Sequence, residues 1–191
     1  IHNAPGKDFG KFHTTAGPIM AAADTFHINV SGKGGHGARP YDCVDPVVAA
    51  CGIVTALQTI VSRNHNTAGS LVISATQIHT GTTDNVVPET AYINGTIRTF
   101  DKEVQAMVAR RMEEVVAGVA AGYGCEATLE VEYGYPPTVN DADKAAFATR
   151  VAADVAGADG VDDAITPVMG AEDFSYMLEA RPGAYLMLGQ G

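Results

Sequence analysis

The residues able to do chemistry in this 191-residue chain are few and scattered. The densest group is Gly32-Lys33-Gly34-Gly35-His36-Gly37, which contains a literal G-x-G-x-x-G. A dinucleotide site needs that pattern directly ahead of a helix, whose N-terminus then holds the pyrophosphate. Here the next helix signal comes only after Pro40, at Asp45-Pro46, and no acidic residue ends the following strand to bind a ribose. No G-K-[ST] opens a helix, so a phosphate loop is excluded as well. What remains is a permissive backbone that can turn sharply or approach a ligand, carrying one imidazole. His36 is then either a working group on a mobile loop or plain surface. His2, in His2-Asn3-Ala4-Pro5, has a ring that can ligate a metal, but one imidazole makes no site. Asn85, in Thr83-Asp84-Asn85-Val86-Val87-Pro88, is by default a turn residue, and Arg98 a solvated strand arginine. Glu172 and Asp173 stand where a helix begins, and acidic side chains there suit the helix dipole. His13, His27, His65 and His79 show no ligand-like spacing and read as structural or exposed.

These groups must be held by regular elements. Residues 1–19 read as loop, with Pro5, Gly6, Gly10, Gly17 and Pro18. A strand follows from about Met20 to Ser31, with Phe26, Ile28 and Val30 alternating. Asp45-Pro46 opens a helix over 46–63: Asp45 accepts from a free N–H and Pro46 suits the first helical position. Val47, Cys51, Val54, Leu57 and Val61 form one apolar stripe, and Ile53 with Ile60 a second. Cys51 is read as core. A helix apolar on two sides needs two partners. Strands are expected at 70–79 and 91–100, the latter with Ile93 and Ile97 on one face and Tyr92, Asn94, Thr96 and Arg98 on the other. Gly81–Pro88 is a turn. Asp101 caps a helix to about Gly122 with Val104, Val108, Val115 and Val119 inward. A strand at 125–133 sets Ala127, Leu129 and Val131 against Glu126, Glu130 and Glu132. The order β-α-β-β-α-β over about 20–134 is the ferredoxin-like pattern: four antiparallel strands, two helices on one face, the other face open and polar. Pro136-Pro137 marks a boundary. A helix at 142–157, a strand-like stretch at 164–168, a short helix to Ala180 and a strand at 184–188 complete an α+β chain.

Composition agrees. The chain is 46% hydrophobic and 18% charged, enough apolar residue to bury a core. A net charge of −10 without a Lys/Arg block argues against nucleic acid or an anionic membrane as partner. No apolar run is judged long enough to span a membrane. Three cysteines (Cys43, Cys51, Cys125), odd in number and in no C-x-x-C pair, suit a reduced cytoplasmic protein. The chain begins Ile1-His2 without Met and is read as cut.

Taken in order, several stretches resemble the M20 metallopeptidase family, in the branch of hippurate hydrolases and N-acyl-amino-acid amidohydrolases. They are His2-Asn3-Ala4-Pro5, Gly17-Pro18-Ile19-Met20-Ala21-Ala22, Gly32 to Pro40 with Asp45-Pro46, Gly81 through Asn85-Val86-Val87-Pro88, Gly95-Thr96-Ile97-Arg98, and Met169-Gly170-Ala171-Glu172-Asp173-Phe174. The resemblance implies a zinc-peptidase-like catalytic domain interrupted by a dimerising lid. Residues 20–134 would be the lid, and 1–19 with 135–191 catalytic-domain segments. It implies two divalent metal ions, zinc or manganese, in the parent enzyme, with His2 as one ligand and the other ligands and the general-base glutamate elsewhere; Glu113-Glu114, inside a lid helix, cannot serve as that base. It implies that His36 reaches the substrate carbonyl of the partner subunit, that Asn85 lies near the same substrate, that Arg98 holds its carboxylate, and that the backbone at Gly170 approaches it. The expected partners are a second copy, joined through helix 46–63 and strand 70–79, and a small N-acyl amino acid. The isolated chain is expected to hold no metal tightly and to be inactive. The rival reading is a ferredoxin-like dimerisation or regulatory module that binds a small ligand without chemistry.

Overall fold

The computed structural model describes residues 1–66 and 69–191. In chain order its elements are β1 (His2–Ala4), β2 (Phe12–His13), β3 (Gly17–Met20), β4 (Ala23–Ser31), β5 (Gly35–His36), α1 (Pro46–Thr59), β6 (Leu71–Thr80), β7 (Val86–Val87), β8 (Thr90–Thr99), α2 (Lys102–Gly122), β9 (Glu126–Tyr135), β10 (Thr138–Asn140), α3 (Ala142–Ala156), β11 (Val161–Asp162), α4 (Phe174–Ala180) and β12 (Met187–Gly189). They divide into two compact units: a central one, 24–134, and a split one, 1–23 with 135–191.

The central unit is the expected β-α-β-β-α-β run. Its sheet has the order β6-β8-β4-β9, so the first and third strands of the run lie inside and the second and fourth at the edges. β8 pairs antiparallel with both β4 and β6. Alternation decides the faces: Phe26, Ile28, Val30, Ile93 and Ile97 are buried toward the helices, each worth about 1.5–3 kcal/mol in transfer from water. Ala127, Leu129 and Val131 pack against the same core from β9. Asp45 caps α1, accepting from the Val47 N–H at 2.8 Å, with Pro46 at the first helical position. Asp101 caps α2 by accepting from the Glu103 and Val104 N–H groups.

The buried stripes differ from those expected. In α1 the core side is Ala49, Ala50, Ile53, Leu57 and Ile60, and Cys51 is exposed. Two small alanines let the helix lie close to the sheet and leave Cys51 outside it, with Val54 partly buried beside the core. In α2 the deepest row is Val108, Met112, Val116 and Ala120, with Val104, Val115 and Val119 only partly buried beside it. Helix α1 with the π-type turn that follows spans Pro46–Asn64, 19 residues at a mean hydropathy of 1.4, long and apolar enough to cross a membrane by length and composition. The sequence reading missed that run. Its buried residues, Ala49, Ala50, Ile53, Leu57 and Ile60, pack into the core, while Val48 and Cys51 are exposed.

In the split unit β1-β12-β2-β11 form one sheet and β3-β10 a second pair. Residues 1–19 are therefore not all loop. Strands of two to four residues carry no readable period; their partners, far away in sequence, define them. The expected strand from Met20 is broken: the Ala21 N–H turns to the Val168 and Gly170 carbonyls (3.2 and 2.9 Å) before β4 begins. The stretch 164–168 is not a strand, although Ile165 is buried and Val168 bridges to Met20. The final strand starts later than expected because the Asn140 amide takes the Tyr185 backbone: Oδ1 accepts the Tyr185 N–H at 2.7 Å and Nδ2 donates to its carbonyl at 3.2 Å.

Candidate functional site

The glycine loop and the Asn85 turn come together. β5 pairs antiparallel with β7, Gly35 opposite Val87 and His36 opposite Val86. The Gly37 N–H donates to the Asn85 carbonyl at 2.8 Å. Glycine is needed here for room. A Cβ on Gly32 would collide with the Val44 carbonyl, and one on Gly34 would lie 2.8 Å from that of Val87. So the loop is a tight ribbon, stapled at Lys33–Val44 and at Val86–Val87, that presents two exposed polar side chains, His36 and Asn85. The Ala38 N–H donates to His36 Nδ1 at 3.1 Å. An Nδ1 that accepts leaves the proton of the neutral ring on Nε2. The outward nitrogen of His36 is therefore a donor.

Arg98 is not part of that group. It projects from the face of β8 opposite the core, as its alternation requires, and pairs with Val72. The ribbon leaves the sheet at the Ser31 and Thr90 end. Arg98 lies eight residues further along the strand than Thr90, about 27 Å at the usual rise. The open face between carries a polar network in which the Tyr92 hydroxyl lies 2.6 Å from His27 Nδ1 and Asn94 Nδ2 donates to the same nitrogen at 3.0 Å.

The split unit carries the other two expected residues. His2 lies on β1, exposed, and its Nδ1–H donates to the Asn3 carbonyl at 2.6 Å. That bond leaves Nε2 with a bare lone pair, the arrangement that ligating histidines show. Gly170 is exposed, its carbonyl accepting from Ala21. Glu172, two residues on, is the group that sequence reasoning set aside as helix-start electrostatics. Its Oε2 accepts from the Tyr185 hydroxyl at 2.8 Å. Burial works to raise its pKa. The bonds from Tyr185, Asp173 and the Phe174 backbone, with the charge of His2, outweigh that and hold the carboxyl below its usual range. Burial, then Glu172, pushes the Tyr185 hydroxyl upward, so it stays a donor. Nothing in the sequence pattern links 172 to 185; only the fold does.

Among the described residues, no three of His, Cys, Asp or Glu are gathered as a metal site would need. The donors that are present, a bare imidazole nitrogen with a carboxylate nearby, are of the types that hold zinc or manganese, and so fit part of a ligand set.

A family model described as a peptidase dimerisation domain of the M20 group matches residues 22–124. The chain belongs to the M20 peptidase family. Among relatives, this M20 chain is 39% identical to the N-acetyl-L-cysteine deacetylase of Bacillus subtilis over 189 residues, covering 99% of the chain and 45% of that protein. It is 37% identical to thermostable carboxypeptidase 1 of Saccharolobus solfataricus, with 99% of the chain and 47% of that protein covered. The solved structure of the Bacillus subtilis YXEP protein, described as a dinuclear metal binding peptidase from the M20 family, superposes with a TM-score of 0.80 at 32% identity, over 98% of this chain and 46% of that one. The M20 chain thus spans about half the length of the curated relatives it matches.

Proposed function

We propose that the protein carrying this M20 chain hydrolyses the amide bond of small N-acyl amino acids, using two divalent metal ions. The central unit serves as its dimerising lid, and the split unit contributes segments of its catalytic domain. Relatives named as an acetylated amino-acid deacetylase and a carboxypeptidase support the reaction class: both cleave an amide beside an amino-acid carboxylate. The observation that carries the reading is the ribbon that sets His36, its donor nitrogen outward, beside Asn85.

Amide hydrolysis needs an activated water, a carboxylate to take its proton, and a donor for the oxyanion that develops on the carbonyl. A divalent metal would supply the water in activated form, with His2 as one ligand. His36 donates from Nε2 to the carbonyl oxygen as it gains charge. Asn85 fixes the acyl side of the substrate. Arg98 forks onto the free carboxylate, a task its planar geometry suits. The backbone at Gly170 lines the approach. An N-acyl amino acid is two residues long in backbone terms, about 7 Å extended. It cannot touch Arg98 and His36 of one lid. The two must therefore serve it from different copies, His36 and Asn85 acting in the partner subunit's site. The edge strand β6 and the exposed side of α1 are where the copies join, because an edge offers backbone groups that a two-fold mate satisfies.

The test is His36→Ala in the full-length enzyme. We expect kcat to fall by about 10²–10³-fold, as loss of one oxyanion donor does, with metal content unchanged. Dimers mixing a His36→Ala subunit with a His2→Ala subunit should regain one working site. Full kcat in His36→Ala would reduce the ribbon to a turn. Mixed dimers that form yet recover nothing would remove the action across subunits.

A further inference from the structure

In an antiparallel pair, residues in register share one face of the ribbon, their Cβ atoms about 4.5–5.5 Å apart. His36 is in register with Val86, and Gly35 with Val87. The face that carries the His36 donor therefore carries an apolar side chain directly beside it, and Val86 is 48% exposed. A valine left half open buries little apolar area against its own chain, and this one is not an isolated surface residue. It walls a cleft of about 330 Å³ where the ribbon leaves the sheet, together with Thr80, Thr83, Pro88 and Thr90. The Thr80 hydroxyl donates to the Thr90 carbonyl at 2.8 Å, and that of Thr83 donates to the Asn85 carboxamide oxygen at 3.4 Å. Among the described residues no charged side chain lines this cleft. Its volume lies at the small end of ligand pockets. An uncharged wall, with two of its hydroxyls bonded within the chain, suits a short apolar group.

We propose that Val86 and this cleft receive the acyl chain of the substrate and set its length, favouring short aliphatic acyl groups. The proposal rests on the reading of His36 as the donor to the substrate carbonyl. The acyl chain springs from the same carbon as the oxygen that His36 holds. A side chain whose Cβ lies about 5 Å from that of His36 is therefore beside the first carbons of the chain. The amino-acid half runs the other way, toward Arg98, which belongs to a different copy from the ribbon. The half left on the ribbon side is the acyl half.

The experiment measures kcat/KM of the full-length dimer on N-acetyl-, N-butyryl- and N-benzoyl-alanine, with circular dichroism to confirm folding. One methylene gained or lost in an apolar pocket shifts such ratios by about 10–200-fold. Val86→Ala should raise the butyryl-to-acetyl ratio by about 10-fold or more. Val86→Phe should lower butyryl and benzoyl turnover by a similar factor and spare acetyl. With the acyl group held as acetyl, exchanging alanine for leucine should affect Val86→Ala and wild type alike. Val86 variants that slow every acyl length equally, or not at all, would reduce Val86 to a residue that shapes the ribbon and overturn the proposal. A preference altered for the amino acid instead of the acyl group would overturn it as well. In either case a His36→Ala enzyme with reduced kcat leaves the carbonyl-donor reading standing, whereas full kcat in His36→Ala overturns that reading and this proposal together. If Val86→Phe fails to fold, the ratio in Val86→Ala decides.

Discussion

The ribbon of the central unit and the Glu172 loop of the split unit solve opposite problems. In the ribbon the main chain is fixed and the side chains are free: Gly32 and Gly34 lie against neighbouring carbonyls, while His36 and Asn85 are exposed. In the split unit the side chains are fixed: Asn140, Thr14 and Tyr185 form one buried network that ends on Glu172. On the proposed function, the ribbon would enter a site formed by another copy, a task that suits a stiff arm and a loose hand.

Substitutions that attack each kind of rigidity separate the two regions. The largest effect should come from Asn140→Ala. Asn140 is 2% exposed and also donates to the Thr15 carbonyl at 2.8 Å. Its loss strands the buried Tyr185 N–H and the Thr15 carbonyl, while the Tyr185 carbonyl keeps Thr14 Oγ1, a cost of about 2–4 kcal/mol. Hydrogen exchange should accelerate across 135–191 and leave 24–134 as before. Gly32→Ala should do the reverse at about 1–3 kcal/mol, accelerating exchange at 32–44 and 85–89. If either substitution loosened both units equally, the contrast would fail.

A smaller effect sharpens it. Because the Glu172 pKa is depressed in the folded chain, its stabilising share is complete above the unfolded value of about 4.3. It is lost as pH falls through the lower folded value. Glu172→Gln should therefore flatten the acid limb of the stability curve below about pH 4.3. The corresponding His36→Gln in the ribbon should leave that limb unchanged. The smallest effect is chemical. Cys51 is exposed, whereas Cys125 is 6% exposed and its thiol is pushed up by burial and then by Asp45. Iodoacetamide should label Cys51 readily in dilute chain and Cys125 only on unfolding. Labelling of Cys51 should slow as concentration rises if α1 forms the joint between copies.

The central unit was legible wherever period and capping coincide. Asp45, Asp101 and the alternation through Ile93 and Ile97 placed helices and strands within a few residues. Cys51 was misread because two apolar stripes on one helix leave its rotation open, and alanines at 49 and 50 decided it. The ribbon was half legible: the glycines were plain, but β5 and β7 are two residues each and exist only as a pair. Tyr185 and Glu172 were invisible, since a side chain bonding across a turn leaves no period.

The two edges of the central sheet differ. β6 shifts register between Ala75 and Gln77, so the irregular backbone there breaks the edge into two short templates. β9, at the far edge, exposes Glu126, Glu130 and Glu132. A copy that adds along β6 finds a limited stretch to match. A third copy approaching β9 meets its own glutamates, like charge against like charge. Sheet growth that begins at one side is thus refused at the other, and an assembly started on this surface stops at a finite pair instead of running on into a fibre.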